Sequence, residues 1–251
     1  MNTLVALCAV GAEKILANEI KFLGYKPIGN APGRVFFTCP DEGLFRANLC
    51  LRTADRIYLQ LASFYADNFD DLFDGVHSIN WQDFLKKDTK VVVDKVRIYK
   101  SKLNSEHTIQ GMTHKAIYKK LEDVWRMSVL PESGSQADIR IYLEQNKVYV
   151  LLDLSGEPLH KRGYRTDGGV APIRETLACV LLQMMCWRRK TPLHDAFCGA
   201  GTIATEAALY AYNVAPGFGR HFALENLPIY NQAQAVEIRK QEAAKIRPDA
   251  M

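Results

Sequence analysis

The feature that most restricts how this chain folds is the run DAFCGAGTIATEAALYAY, from Asp195 to Tyr212. A short β-prone segment, TPLHDAF, ends there. Gly199 and Gly201 follow, and a strong helix-forming stretch starts at Thr202. Strand, glycine turn and helix in that order place a ligand at the mouth of an open parallel sheet. Glycine permits a positive φ and removes the Cβ that would hold a ligand away. The unpaired N–H groups at the following helix start favour an anionic group. Spacing alone does not choose the cofactor. No GK[ST] follows, so the turn is not a phosphate-binding P-loop, and the third glycine of a dinucleotide fingerprint is missing.

The segments before this turn divide into three. LVALCAV reads as a strand, AEKILANEIKFLGY as a helix ending at Gly24, GRVFFTC as a strand and DEGLFRANLCLR as a helix with Asp41 near its start. That β-α-β-α order makes a small α+β leader over residues 1–55. RIYLQLASFYA opens a second unit, residues 56–158. In it FDDLFDGVHSINWQDFL reads as helix, turn, helix, and KVVVDKVRIYKSKL as a long strand. Ser105 is the expected N-cap of a helix whose buried stripe is Ile109, Met112, Ala116 and Leu121. ADIRIYLEQNKVYVLLDLSG reads as a hairpin turning at Gln145-Asn146. The third unit, residues 159–251, has one helix over APIRETLACVLLQMMCW with Pro172 in its first turn. A second helix starts at the glycine turn, and QAQAVEIRKQEAAKI forms a third.

Charge is unevenly placed. Residues 1–85 hold 7 Lys/Arg against 10 Asp/Glu, whereas residues 95–120 hold 7 Lys/Arg against the single acid Glu106. A second basic run, HKRGYR, spans His160 to Arg165. Such concentration points to an anionic partner, nucleic acid first. The six cysteines form no CxxC pair and none sits at zinc spacing from a histidine, so no metal is expected and they read as reduced, mostly buried cysteines of a cytosolic chain.

DAFCGAGTIATEAA, together with APIRETLA, LHKRGYR and APGFGRHFALENLP, resembles the motifs of THUMP-containing, S-adenosylmethionine-dependent class I RNA methyltransferases. VRIYKSKLNSEHTIQGMTHKAIYKKL resembles the THUMP core, and the leader is similar to that family's ferredoxin-like domain. The resemblance implies an α+β leader and RNA-binding THUMP domain, followed by the start of an α/β Rossmann-like methyltransferase domain that is incomplete here. It implies that Asp195, Phe197, Cys198, Gly199, Gly201 and Thr202 wall the methionine part of the cofactor. Ala171, Pro172, Glu175 and Thr176 would close the pocket, with Glu206 behind them. The family members in question methylate guanine N2 in large-subunit ribosomal RNA.

That family orients the acceptor amine with an Asn/Asp-Pro-Pro-Tyr/Phe motif, which this sequence lacks; LENLPIY is the nearest stretch. The chain is therefore expected to be an N-terminal portion that binds RNA weakly, binds cofactor poorly and turns over nothing alone. Self-association through the incomplete domain is a further expectation. A non-catalytic RNA-binding or assembly protein and an adenine-N6 methyltransferase stay open as alternatives. Phosphate contacts are expected from Arg97, Lys100, Lys102, Lys115, Lys119 and Lys120, with Lys161, Arg162 and Arg165 extending the track. Tyr99 and Tyr118 are candidates for stacking on bases. His107 and His114 read as polar-face residues rather than catalysts.

Overall fold

The computed structural model describes residues 1–165 and 172–249. Its elements begin with β1 (Asn2–Leu7), α1 (Glu13–Phe22), β2 (Lys26–Ala31), β3 (Arg34–Cys39) and α2 (Glu42–Cys50). β4 (Arg56–Tyr65), α3 (Phe69–His77), β5 (Lys90–Tyr99), α4 (Glu106–Trp125), β6 (Gln136–Glu144) and β7 (Lys147–Asp153) follow. Three helices close the series: α5 (Glu175–Met184), α6 (Thr202–Ala211) and α7 (Gln232–Ala243). The chain forms two compact units. One gathers residues 1–57, 157–222 and 231–251, and the other residues 58–156 and 223–230. Among the described residues no helix is long and apolar enough to cross a membrane.

In the first unit β1 and β3 pair antiparallel from Asn2↔Cys39 to Leu7↔Arg34, and β2 pairs with the other side of β3. Leu4, Val5, Val35 and Phe37 are buried, and Leu16 and Ile20 of α1 are buried with them. β2 carries no strand pattern in the sequence. Pro27 and Gly29 flank a bulge in it, and such residues are tolerated on an edge strand because its outer N–H groups need no partner. Glu13 fastens the loop before α1 to the β2–β3 turn, accepting from Gly33 N–H at 2.6 Å and Gly11 N–H at 3.0 Å. The Gly33 bond is the main reason that its carboxyl stays below the usual glutamate range.

The leader packs on the C-terminal helices of its own unit. Arg46 meets Glu242 at 2.6 Å, Phe45 lies edge-on to Phe222 at 5.6 Å, and Gly217 N–H donates to the Leu49 carbonyl at 2.9 Å. Two expectations fail here. TPLHDAF is not a strand, and no strand occurs among the described residues after 159. A strand is defined by a neighbour that takes its N–H and C=O groups, and Thr191 bonds locally instead, its N–H to the Arg188 carbonyl and its carbonyl to the Trp187 indole. The helix expected to include Pro172 starts later, with Arg174 as its N-cap.

The second unit contains four strands in the order β4-β7-β6-β5. β4/β7 and β6/β7 are antiparallel and β5/β6 is parallel. The β6–β7 turn lies at Gln145 and Asn146, with φ of 51° and 65°, the left-handed pair that a tight hairpin demands. Ser105 caps α4 by accepting from Thr108 N–H. The helix buries Ile109, Thr113, Ala116, Ile117 and Leu121, so Thr113 takes the place expected for Met112. The second helix expected after Ile79 is a single 3-10 turn, Trp81–Asp83. It is held because the Trp81 indole is fully buried and donates to the Val76 carbonyl at 2.9 Å. Asp41 is the N-cap residue of α2, but its carboxylate makes no cap bond and accepts from the Asn2 amide at 2.8 Å instead.

Candidate functional site

The glycine turn forms as a nest of left-handed residues. Gly199 has φ of 51° and Gly201 of 70°, and Gly201 is the N-cap of α6. A Cβ at Gly201 would meet nothing within 4 Å, so backbone conformation rather than crowding requires glycine there. Gly201 N–H closes the turn onto the Cys198 carbonyl at 2.7 Å. The Asp195 carboxylate accepts from Phe197 N–H at 3.3 Å. Phe197 is 97% exposed and Cys198 is also exposed. The turn therefore offers a carboxylate, an apolar ring and the start of a ten-residue helix to one region of solvent.

The other residues expected around the cofactor lie deeper. Thr202 and Glu175 are buried and Arg165 joins them, donating to Thr202 Oγ1 at 2.9 Å and lying 3.1 Å from Glu175. Thr176 Oγ1 donates to Asp55 at 2.6 Å. Pro172 is half-buried, and Ala171 lies outside the described residues. Glu206 is fully buried, accepting from the Tyr164 hydroxyl at 2.9 Å and the Cys179 thiol at 3.0 Å. Burial first and the Glu206 charge second push both donors above their usual ranges, so both keep their protons.

Arg162, expected on an RNA track, is buried beneath this site. Its guanidinium donates to the Leu159 carbonyl at 2.5 Å and the Arg52 carbonyl at 2.6 Å, with Nε 3.7 Å from Glu206. At 5% exposure, with both terminal nitrogens committed to carbonyls, it turns no open face to a phosphate. Lys161 stays exposed and pairs with Glu157 at 3.0 Å. Sequence reasoning missed Arg52, Asp55 and Arg220, which hold the same junction. Arg52 donates to the Val214 carbonyl at 2.6 Å, and Arg220 to the carbonyls of Pro158, Lys161 and Glu157. Arg52 and Asp55 follow α2 with no apolar period around them, so only the fold reveals their task.

His160 sits in this junction 3.8 Å from Asp55. Burial depresses its pKa below the ordinary histidine value, with Asp55 opposing and Arg174 reinforcing the shift. The unfolded chain then takes the proton first. Stability should fall as pH drops from about 6.5 toward the folded pKa. In His160→Gln, urea midpoints at about pH 7.5 and about pH 5.5 should differ less than in the wild type. An unchanged difference would place the acid sensitivity on another group.

The basic residues of the second unit fall into two groups. Arg97 is exposed on β5, and Lys100 lies beyond the strand end with its ammonium 5.3 Å from the Tyr99 ring. Lys102 pairs with Asp67 at 2.6 Å. Lys115, Lys119 and Lys120 are on α4, which covers the opposite face of the sheet from Arg97, and Lys119 meets Asp123 at 2.8 Å. His114 stacks on Tyr118 at 4.2 Å, and the Tyr118 hydroxyl bonds Glu132. That ring is thus already engaged within the protein, whereas Tyr99 is 56% exposed. Among the described residues no group of His, Cys, Asp or Glu is arranged to hold a metal.

The chain is similar to known proteins. Residues 3–58 match the RlmL ferredoxin-like domain, residues 66–153 the THUMP domain, and residues 162–250 the RMKL-like methyltransferase domain. The chain is 43% identical to YpsC of Bacillus subtilis (strain 168) over 231 residues, covering 89% of this chain and 58% of YpsC. It is 34% identical to the ribosomal RNA large subunit methyltransferase K/L of Buchnera aphidicola subsp. Schizaphis graminum (strain Sg) over 226 residues, or 88% of this chain and 32% of that protein. The solved structure of SMU.472 complexed with SAH superposes with a TM-score of 0.92 and 38% identity, covering 99% of this chain and 66% of that one. The chain thus spans less than two thirds of the length of either curated relative.

Proposed function

The chain belongs to the family that joins an RlmL ferredoxin-like domain, a THUMP domain and an RMKL-like methyltransferase domain, and we propose from this that it carries the RNA-binding part and the cofactor turn of an S-adenosylmethionine-dependent RNA methyltransferase. The three domains are assigned to residues 1–55, 56–158 and 159–251. The observation that carries the reading is the left-handed Gly199–Gly201 turn opening α6, with an acidic residue and an exposed ring beside it.

The turn suits the amino-acid end of the cofactor. A helix start favours its carboxylate, Asp195 attracts its ammonium group, and Phe197 and Cys198 cover apolar atoms. When bound, S-adenosylmethionine supplies an electrophilic methyl group. The residues of this chain hold and orient it. Glu175, Thr202 and Arg165 brace the turn from below. Orientation is the main tool for transfer to an exocyclic amine, whose lone pair is partly delocalised into the base. We assign the acceptor to guanine N2 of large-subunit ribosomal RNA; of this, the large-subunit ribosomal RNA is in keeping with the name of the Buchnera relative. The exposed cations Arg97, Lys100, Lys115 and Lys119, with the half-buried Lys120, supply phosphate contacts.

Two measurements test this reading on the chain itself. Ultraviolet crosslinking of radiolabelled S-adenosylmethionine registers weak sites, and Asp195→Ala should reduce the crosslink by about tenfold, equivalent to one charge-assisted contact. Binding of single-stranded ribosomal RNA fragments should weaken with salt at a log–log slope of about −3 if four phosphates are neutralised. A crosslink indifferent to Asp195, or no salt-dependent RNA binding, refutes the corresponding half. In the longer relatives, nucleoside analysis of the product separates N2-methylguanosine from N6-methyladenosine.

A further inference from the structure

Helices α3 and α4 lie on one face of the second unit's sheet. Phe64 of β4 packs against Gly75 of α3, and Gln110 of α4 donates to the Val93 carbonyl. Ala137, Ile139, Ile141, Leu143, Val148 and Val150 are buried on that side. Alternate residues must point the other way. The pairing register sets Tyr65, Lys147, Glu144 and Tyr99 in one row across all four strands. The next row on the same face is Ser63, Tyr149, Tyr142 and Arg97.

Neither row holds an aliphatic side chain, and four of its eight residues are tyrosines. Tyr65 is 71% exposed and Tyr99 is 56% exposed, on the first and last of these four strands. Cations gather at the rings. The Lys147 ammonium lies 6.0 Å from the Tyr65 ring and 5.4 Å from the Tyr149 ring, and Lys100 lies 5.3 Å from Tyr99. A surface made to bind an apolar protein face would hold aliphatic residues. Flat rings interleaved with positive charge match the two parts of a single-stranded nucleotide, a base to stack and a phosphate to pair.

We infer that the exposed end of this face is a second RNA-binding surface, one that stacks unpaired bases on Tyr65 and Tyr99, with Lys147, Lys100 and Arg97 on the phosphates. It rests on the RNA-binding reading above. It differs from the α4 lysines in place and in preference. The lysines engage only backbone charge, whereas ring faces accept a base only when the strand is unpaired. The helix group therefore tolerates duplex RNA and the sheet face requires single strands.

The test uses fluorescence anisotropy with a labelled single-stranded RNA and the same sequence as a duplex. Tyr65 and Tyr99 are exposed, so the double variant Tyr65→Ala/Tyr99→Ala should stay folded, which circular dichroism verifies. It is expected to lose at least about tenfold in single-strand affinity, since each stacked base is a large contribution. Duplex affinity should be unchanged. Tyr65→Phe/Tyr99→Phe keeps the rings and should bind within about twofold of the wild type. Lys147→Ala should reduce the salt slope by about 0.7. If the wild type binds single strands and the alanine pair binds them equally well, the sheet face is not an RNA surface, though the chain still binds RNA elsewhere. If the wild type binds no RNA, the underlying reading falls as well.

Discussion

Arg162→Ala is expected to destabilise the first unit by about 3–5 kcal/mol, the usual cost of removing one member of a buried ionic cluster. Three losses coincide. The carbonyls of Leu159 and Arg52 lose the donors that reach them at 2.5 and 2.6 Å. Glu206, which has no exposure to solvent, loses the guanidinium 3.7 Å away. Arg162→Lys should recover little, because an ammonium on a flexible stem does not serve two carbonyls and a carboxylate with fixed geometry. The double variant Arg162→Met/Glu206→Gln should be more stable than Arg162→Ala, because it leaves no uncompensated charge. Hydrogen exchange at the amides of α6 during urea titration reads this locally, which matters in a chain of more than one unit. A change below about 1 kcal/mol in Arg162→Ala would show that the cluster contributes little.

Trp81→Ala should have a comparable effect in the second unit, about 3–5 kcal/mol. The side chain is completely buried and stands in the 3-10 turn that follows α3, against α4. Truncation opens a cavity too well supported to collapse, and the Val76 carbonyl loses its indole donor at 2.9 Å. Trp81→Phe separates the two contributions. It retains most of the volume but not the N–H, and should cost about 1–3 kcal/mol. Urea unfolding followed by far-ultraviolet circular dichroism would give both values. Equal costs for the two variants would mean that the hydrogen bond, not the packing, carries the effect.

The sequence disclosed those elements whose signals are local. Ser105 and the 3.6-residue period predict α4, and the Gln145-Asn146 pair predicts the turn whose two residues have positive φ. The glycine nest was equally legible, since few residues besides glycine enter that backbone region. β2 was not, because an exposed edge strand containing proline and glycine has no apolar alternation to betray it. TPLHDAF misled for the opposite reason. Its composition favours a strand, but extended backbone becomes a strand only beside a partner. Glu175, Thr176 and Thr202, to which the motif points, have their side chains engaged in buried bonds. Arg162 looked like one of several surface cations. Nothing in HKRGYR distinguishes an arginine facing a phosphate from one facing carbonyls, because the difference is made by residue 52, far away in the chain.

That separation has a bearing on biosynthesis. The last turn of α2 and the loop after it offer carbonyls at Leu49, Arg52 and Asp55, which are taken by Gly217, Arg162 and Leu159. All three partners emerge from the ribosome only after residues 58–156 have been made, an interval of roughly five to twenty seconds at bacterial elongation rates of about 5–20 residues per second. During that interval the second unit, which is continuous apart from residues 223–230, has nearly all of its chain. The leader, although translated first, still awaits its partners and holds apolar surface in contact with water. The N-terminal segment, although made first, is therefore the part of the chain that waits longest for its packing partners.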